Sequence, residues 1–250
     1  MPQFSPRHAV FAEVGGEVSA RSQRPWSQLS LTQASDSWND AEVDFSSPLA
    51  TVTPTLDAGV LQTLASTTRP CTAAEVHRRL GRGSDEGVRK VLARLVEQGV
   101  VLVDVPARYP LYVLNREHVA AAHIEGLTRL RAALIERIRD EVAAWPVKAV
   151  HSAVFGSFAR GTADVHPDID ILLVRRDDLT EGREETWLAQ LDALAVRVRA
   201  WTGNVAQLID TSPTALSHMV ANDDPLLESW RNDAIHLTGV RLAPLLRRTR

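Results

Sequence analysis

Between Pro146 and Val174 the chain reads as two apolar runs joined by a polar loop, and this pattern limits the possible folds more than any other stretch. Val147 to Phe155 suits a buried strand and stops at Gly156-Ser157. Asp168-Ile169-Asp170-Ile171-Leu172-Leu173-Val174 reads as a second strand. Residues two apart in a strand share a face, so Asp168 and Asp170 project together while Ile169 and Ile171 turn into the core. Two neighbouring carboxylates repel each other unless a cation sits between them. Hard oxygen ligands of this kind suit Mg²⁺ or Mn²⁺, completed by phosphate and water. At the end of the first run, glycine permits a tight turn and Ser157 opens a helix whose first N–H groups are free for an anion. A phosphate cradle and a metal pair on adjacent strands describe a metal–nucleotide site for phosphoryl or nucleotidyl transfer. Arg160 reads as a phosphate contact or as a brace for the loop through a nearby acid. A Gly-Ser turn alone, or an Asp-X-Asp edge alone, is commonplace. The two at this spacing, each with apolar flanks, favour the functional reading.

The chain continues with a helical pattern from Glu181 to Trp201, a Gly203-Asn204 turn and a strand from Val205 to Ile209. A helix from Pro213, another from Pro225 to Trp230 and a short strand from Ile235 to Leu237 follow. Strands separated by helices imply an α/β or α+β domain over residues 146–250, a mixed sheet with flanking helices.

Residues 54–115 have a different rhythm. Leu56, Val60, Leu61 and Leu64 recur at helical spacing. Thr72 with Glu75 forms a capping box for a second helix that Gly81 stops. Ser84 starts a third helix and Gly99 ends it. Strand-like runs Val100 to Val105 and Tyr109 to Leu114 complete the order of a winged helix-turn-helix. In such modules the third helix enters the DNA major groove and the wing touches backbone. The basic residues that would meet phosphate are Arg82, Arg89, Lys90, Arg94 and Arg108; Asp85 and Glu86 at the start of the third helix weaken that case. The alternative is that these are the solvated face of an ordinary helix. Cys71 reads as a small buried residue.

A single helical pattern over 116–145 forms a connector, with Leu127, Leu130, Leu134, Ile135, Ile138 and Val142 on one side. That stripe either packs on the neighbouring domains or pairs with a second copy. Residues 1–53 are rich in Ser, Thr, Gln and Pro without apolar period, and read as a disordered tail. Val10 to Val18 is a weak strand candidate there, and Trp26 and Trp38 are candidates for docking. The net charge of −3 gives no global pull toward nucleic acid. One cysteine excludes an internal disulfide. The absence of a long apolar run argues against a membrane span and for a cytoplasmic protein.

The segment GSFARGTA…PDIDILLV resembles the signature of the DNA polymerase β-like nucleotidyltransferase superfamily, and in particular its minimal nucleotidyltransferases. The resemblance covers about residues 146–240. It implies a nucleoside triphosphate bound with Mg²⁺ through Gly156, Ser157, Asp168 and Asp170, Arg160 fitting the same pattern. It also implies attack of an acceptor hydroxyl on the α-phosphorus. Minimal domains of this kind are often partnered with HEPN proteins in toxin–antitoxin pairs. The family carries a third acid in the next strand, where this chain has Gln207. Asp210 lies on the opposite strand face and substitutes only if the register differs. Three roles follow: a transferase acting on a protein or small-molecule hydroxyl, a winged-helix regulator with a nucleotide-sensing domain, and an antitoxin.

Overall fold

A computed structural model describes residues 42–106, 108–162 and 168–247. The strand candidate at Val10 to Val18 and the tryptophans Trp26 and Trp38 lie outside these residues. Among the described residues the chain builds two clusters of elements, each with its own core.

The first cluster holds α1 (Leu56–Ala65), α2 (Ala73–Leu80), α3 (Asp85–Glu97) and an antiparallel hairpin of β1 (Val101–Asp104) and β2 (Leu111–Leu114). The Thr72–Glu75 capping box forms as its sequence requires, Glu75 N–H donating to Thr72 Oγ1 and Thr72 N–H to Glu75 Oε2. Gly81 then ends α2 in the left-handed region at φ 67°. Val60, Leu64, Val76, Val88 and Leu92 are fully buried at the centre. Cys71 is buried and bridges to Tyr112.

The stretch expected as one connector helix is two: α4 (Ala121–Thr128) and α5 (Leu130–Ala144). The Thr128 hydroxyl donates back to Glu125 O, and Arg129 N–H takes Gly126 O, a tighter bond than an α-helix makes. Leu134, Ile135, Ile138 and Val142 of α5 are buried inside the chain's own core. Those four residues of the stripe are thus covered intramolecularly, while Leu127 and Leu130 are half-buried.

The second cluster is a four-stranded mixed sheet in the order β5-β4-β3-β6. The strands are β3 (His151–Phe155), β4 (Ile169–Val174), β5 (Ala206–Thr211) and β6 (Ile235–Gly239). β3 and β4 are antiparallel, whereas β4 and β5 are parallel and joined by the long helix α7 (Glu181–Thr202), because parallel neighbours need a crossover. One face packs on α5 and α7, with Trp187 at 0% exposure and edge-on to Trp145 at 5.3 Å. The other face packs on α8 (Pro213–Ala221), α9 (Leu226–Asp233) and α10 (Leu242–Leu245) through Leu172, Val174, Leu216 and Trp230. Burial on both faces explains why β4 reads as a continuous apolar run after Asp170.

Residues 42–53, expected to continue the tail, are packed. Val43 N–H donates to Thr202 O and to the side chain of the fully buried Asn204, and Phe45 lies edge-on to Phe158 at 4.9 Å. A 3₁₀ turn at Pro48–Thr51 follows, and Leu49 is 1% exposed in the first core. The contacts are all long-range, so no local periodicity announced them.

Candidate active site

The β3–β4 register brings the two halves of the sequence motif together. Phe155 pairs with Asp170, so Gly156 leaves the sheet directly beside that carboxylate. Gly156 adopts φ +73°, and a Cβ there would sit 2.2 Å from Asp170 Oδ2. Glycine is required twice at this point, for the backbone conformation and for the space. The short helix α6 (Gly156–Arg160) starts here and presents its first N–H groups with no intrahelical partner. The Ser157 hydroxyl has no hydrogen-bond partner among the described residues. Arg131 of α5 closes the other end of α6: its Nη1 donates to Ala159 O at 2.7 Å and to Phe158 O at 3.3 Å. A Cβ on Gly161 would press on that guanidinium at 2.8 Å.

Ile169 and Ile171 are fully buried toward α5 and α7. Asp170 is therefore on the opposite face, and Asp168, two residues earlier, precedes the strand in an exposed position. Burial first, and the neighbouring Asp168 second, push Asp170 up to about 6, while Arg160 draws it back down. Arg160 itself forms an ion pair with Asp233 of α9 and braces α6, the second of its two sequence readings.

The parallel β4–β5 register pairs Asp170 with Gln207, and side chains of paired residues share a face. Gln207 is exposed beside Asp170. Asp210 pairs with Leu173 and belongs to the other face. There it accepts a hydrogen bond from Trp187 Nε1 at 3.1 Å and faces Arg175 Nε at 3.4 Å. Burial pushes Asp210 up to about 6, against the opposing pull of Arg175. The register therefore leaves Asp210 unable to reach the Asp168–Asp170 side. Among the described residues no group of three His, Cys, Asp or Glu side chains converges. His151 is buried in β3, its Nδ1 at 2.7 Å from Val240 O and its ring stacked on His236, a packing role.

Of the other basic residues, Arg89 pairs with Asp85 at 2.7 Å, Lys90 with Glu86 at 2.8 Å, and Arg94 with Asp57. Arg82 and Arg108 have no carboxylate partner among the described residues, and Arg108 lies over the Tyr109 ring at 5.4 Å. Sequence reasoning missed Arg131, Phe45 and Asp233 around α6, since each arrives from a distant element.

Residues 135–209 match the model of the family described as nucleotidyltransferase domain. The matched stretch runs from α5 to β5 and contains α6, Asp168 and Asp170, so this part of the chain is similar to nucleotidyltransferase domains. No curated protein matches the chain. No described helix is long and apolar enough to cross a membrane.

Ionisation of Asp170 gives the site a testable pH dependence. A folded pKa of about 6, above the ordinary 3.8, favours the neutral carboxyl in the folded state. That contribution to stability is present at acid pH and lost as pH rises from about 4 through about 6. A cation held by Asp170 would need the ionised form, so its affinity would run the other way. Mg²⁺-dependent triphosphate binding is expected to be about tenfold weaker at pH 5 than at pH 7. Calorimetric titration at the two pH values measures it; equal affinities would show Asp170 already ionised at pH 5.

Proposed function

We propose that residues 146–250 bind a nucleoside triphosphate with Mg²⁺ and belong to a transferase of nucleoside monophosphate to a protein or small-molecule hydroxyl, with a slow or absent transfer step. Asp168 and Asp170 would hold the metal, and the Gly156-Ser157 backbone with the Ser157 hydroxyl would meet phosphate. The residues fit such a group in two respects. A carboxyl raised to about 6 beside a second acid is relieved by a divalent cation, and glycine at 156 lets the Asp170 carboxylate stand directly against the turn, where a Cβ would collide with it. When bound, Mg²⁺ supplies neutralisation of phosphate charge. In the transfer, the acceptor oxygen forms a bond to the α-phosphorus, the bond to the bridging oxygen breaks, and pyrophosphate leaves. The acceptor proton then needs a base, which an amide at Gln207 is not. The observation that carries this reading is the pairing of Gln207 with Asp170.

Incubation with Mg²⁺ and labelled triphosphates, following label transfer and pyrophosphate release, tests it. Binding is expected without appreciable turnover. An Asp168→Ala, Asp170→Ala double variant is expected to bind at least tenfold more weakly, about 1.4 kcal/mol. Equal affinity in that variant with Mg²⁺ present would remove the metal site from consideration.

A second reading, a DNA-binding regulator with a nucleotide-sensing domain, draws support from the order of α1–α3 and the β1–β2 hairpin, which is that of a winged helix. The ion pairs at Arg89, Lys90 and Arg94 limit the charge that module offers. With only Arg82 and Arg108 on phosphate, log K against log salt should have a slope of about −2 per module. A mobility-shift titration on the upstream DNA at several salt concentrations gives that slope. A slope near −4.5 would mean that all three ion pairs open on DNA, and no shift at low salt would end the reading.

A further inference from the structure

A cleft of about 490 Å³ lies between residues 44–47 and the helices α1 and α2, far in sequence from the nucleotide motif. Its lining combines opposite charges that do not cancel each other. Arg79 and Arg82 line it, and neither has a carboxylate within ion-pair distance among the described residues, although Asp44 lines the same cleft. Asp44 is held rigidly: its Oδ1 accepts from Ser46 N–H at 2.8 Å, from the Ser46 hydroxyl at 2.5 Å and from Ser47 N–H at 3.2 Å. Its second oxygen has no partner among the described residues. Gln62 donates through Nε2 to Ser46 O at 2.9 Å, which settles the orientation of its amide and leaves Oε1 buried with no acceptor role filled.

The floor of the cleft is preformed. A Cβ on Gly59 of α1 would sit 2.1 Å from Leu80 Cδ1 of α2, so glycine is what lets the Leu80 side chain pack against α1 there. A rigid pocket of this size is in the range of small-molecule sites, and its polarity calls for a polar occupant. Two guanidinium groups recognise an anionic group. The free Asp44 oxygen is an acceptor and recognises a donor, best an ammonium. We infer that this cleft binds a small zwitterion, an amino acid or similar compound, with its anionic group on Arg79 and Arg82 and its ammonium on Asp44. Asp44 also adjoins Phe45, whose ring braces Phe158 in α6, so the occupant touches the segment that supports the nucleotide loop.

The test is titration of the full chain with β-alanine, γ-aminobutyrate and L-glutamate, followed by thermal shift and calorimetry. Butyrate and butylamine serve as single-charge controls. At least one zwitterion is expected to bind saturably at millimolar concentration or tighter, and at least tenfold more tightly than either control. An Arg79→Gln, Arg82→Gln double variant is expected to lose that binding while keeping the melting temperature of the free protein. Asp44→Asn keeps the acceptor for Ser46 and Ser47 but loses the charge, and should bind γ-aminobutyrate no better than butyrate. Failure of all three zwitterions, equal binding of butyrate, or undiminished binding in the arginine variant each overturns the inference. None of these measurements involves a nucleotide, so the result stands apart from the proposed transfer activity.

Discussion

Replacing Gln207 by Asp or Glu is expected to raise the rate of nucleotidyl transfer by about 10²-fold or more, within the range that a positioned general base contributes. The substitution is local. Gln207 is exposed on β5, so a shorter or charged side chain disturbs no packing. It stands opposite Asp170 on the shared face, so a carboxylate there would adjoin the residue proposed to hold the metal. A third negative charge there would raise Asp170 further in the absence of cation, so the variant should also need Mg²⁺ more steeply than the wild type. Pyrophosphate release in wild type, Gln207→Asp and Gln207→Glu measures the effect. Brisk wild-type turnover that disappears in Asp210→Ala would show that the base was sought on the wrong strand position, although Asp210 is tied to Trp187 and Arg175 on the other face.

Gly156→Ala should all but abolish triphosphate binding. The left-handed conformation costs an alanine roughly 1–2 kcal/mol. The new methyl group would overlap Asp170 Oδ2 at 2.2 Å, so the carboxylate or the turn must move. Either movement dismantles the cradle, and an affinity loss well beyond tenfold is expected. Gly126→Ala is the control: nothing lies within 4 Å of a Cβ there, and a glycine inside α4 gains roughly 0.5–1 kcal/mol on becoming alanine. Isothermal titration with ATP and Mg²⁺ should therefore separate the two glycines sharply. Wild-type affinity in Gly156→Ala would mean that phosphate does not approach the backbone at this turn.

Much of the mixed sheet was legible because its signals are local. Period-two alternation sets Asp168 and Asp170 apart from Ile169 and Ile171 without reference to anything distant, and the β4 strand obeys it. Thr72 and Glu75 make a capping box from three residues' separation alone. The alignment of Gln207 with the aspartates was an inference about register, which the β4–β5 pairing now supports. The break at Arg129 was missed because the apolar stripe runs through it unaltered, and periodicity does not see the side-chain hydrogen bond that ends α4.

The sequence by itself determined the order of most helices and strands, where the glycine turn falls, and that Asp170 turns away from Ile169 and Ile171. Only the tertiary structure decided what those acids face and what supports them. Arg131 reaches α6 from α5, Asp233 takes Arg160 from α9, and Phe45 crosses from the start of the described chain to Phe158. The same holds for α3, where Arg94, read as a candidate phosphate contact, is held by Asp57 of α1. Periodicity and capping act over a single turn or a pair of residues. An ion pair or ring contact between distant elements depends on how whole elements pack, and the one-dimensional pattern carries no term for that distance.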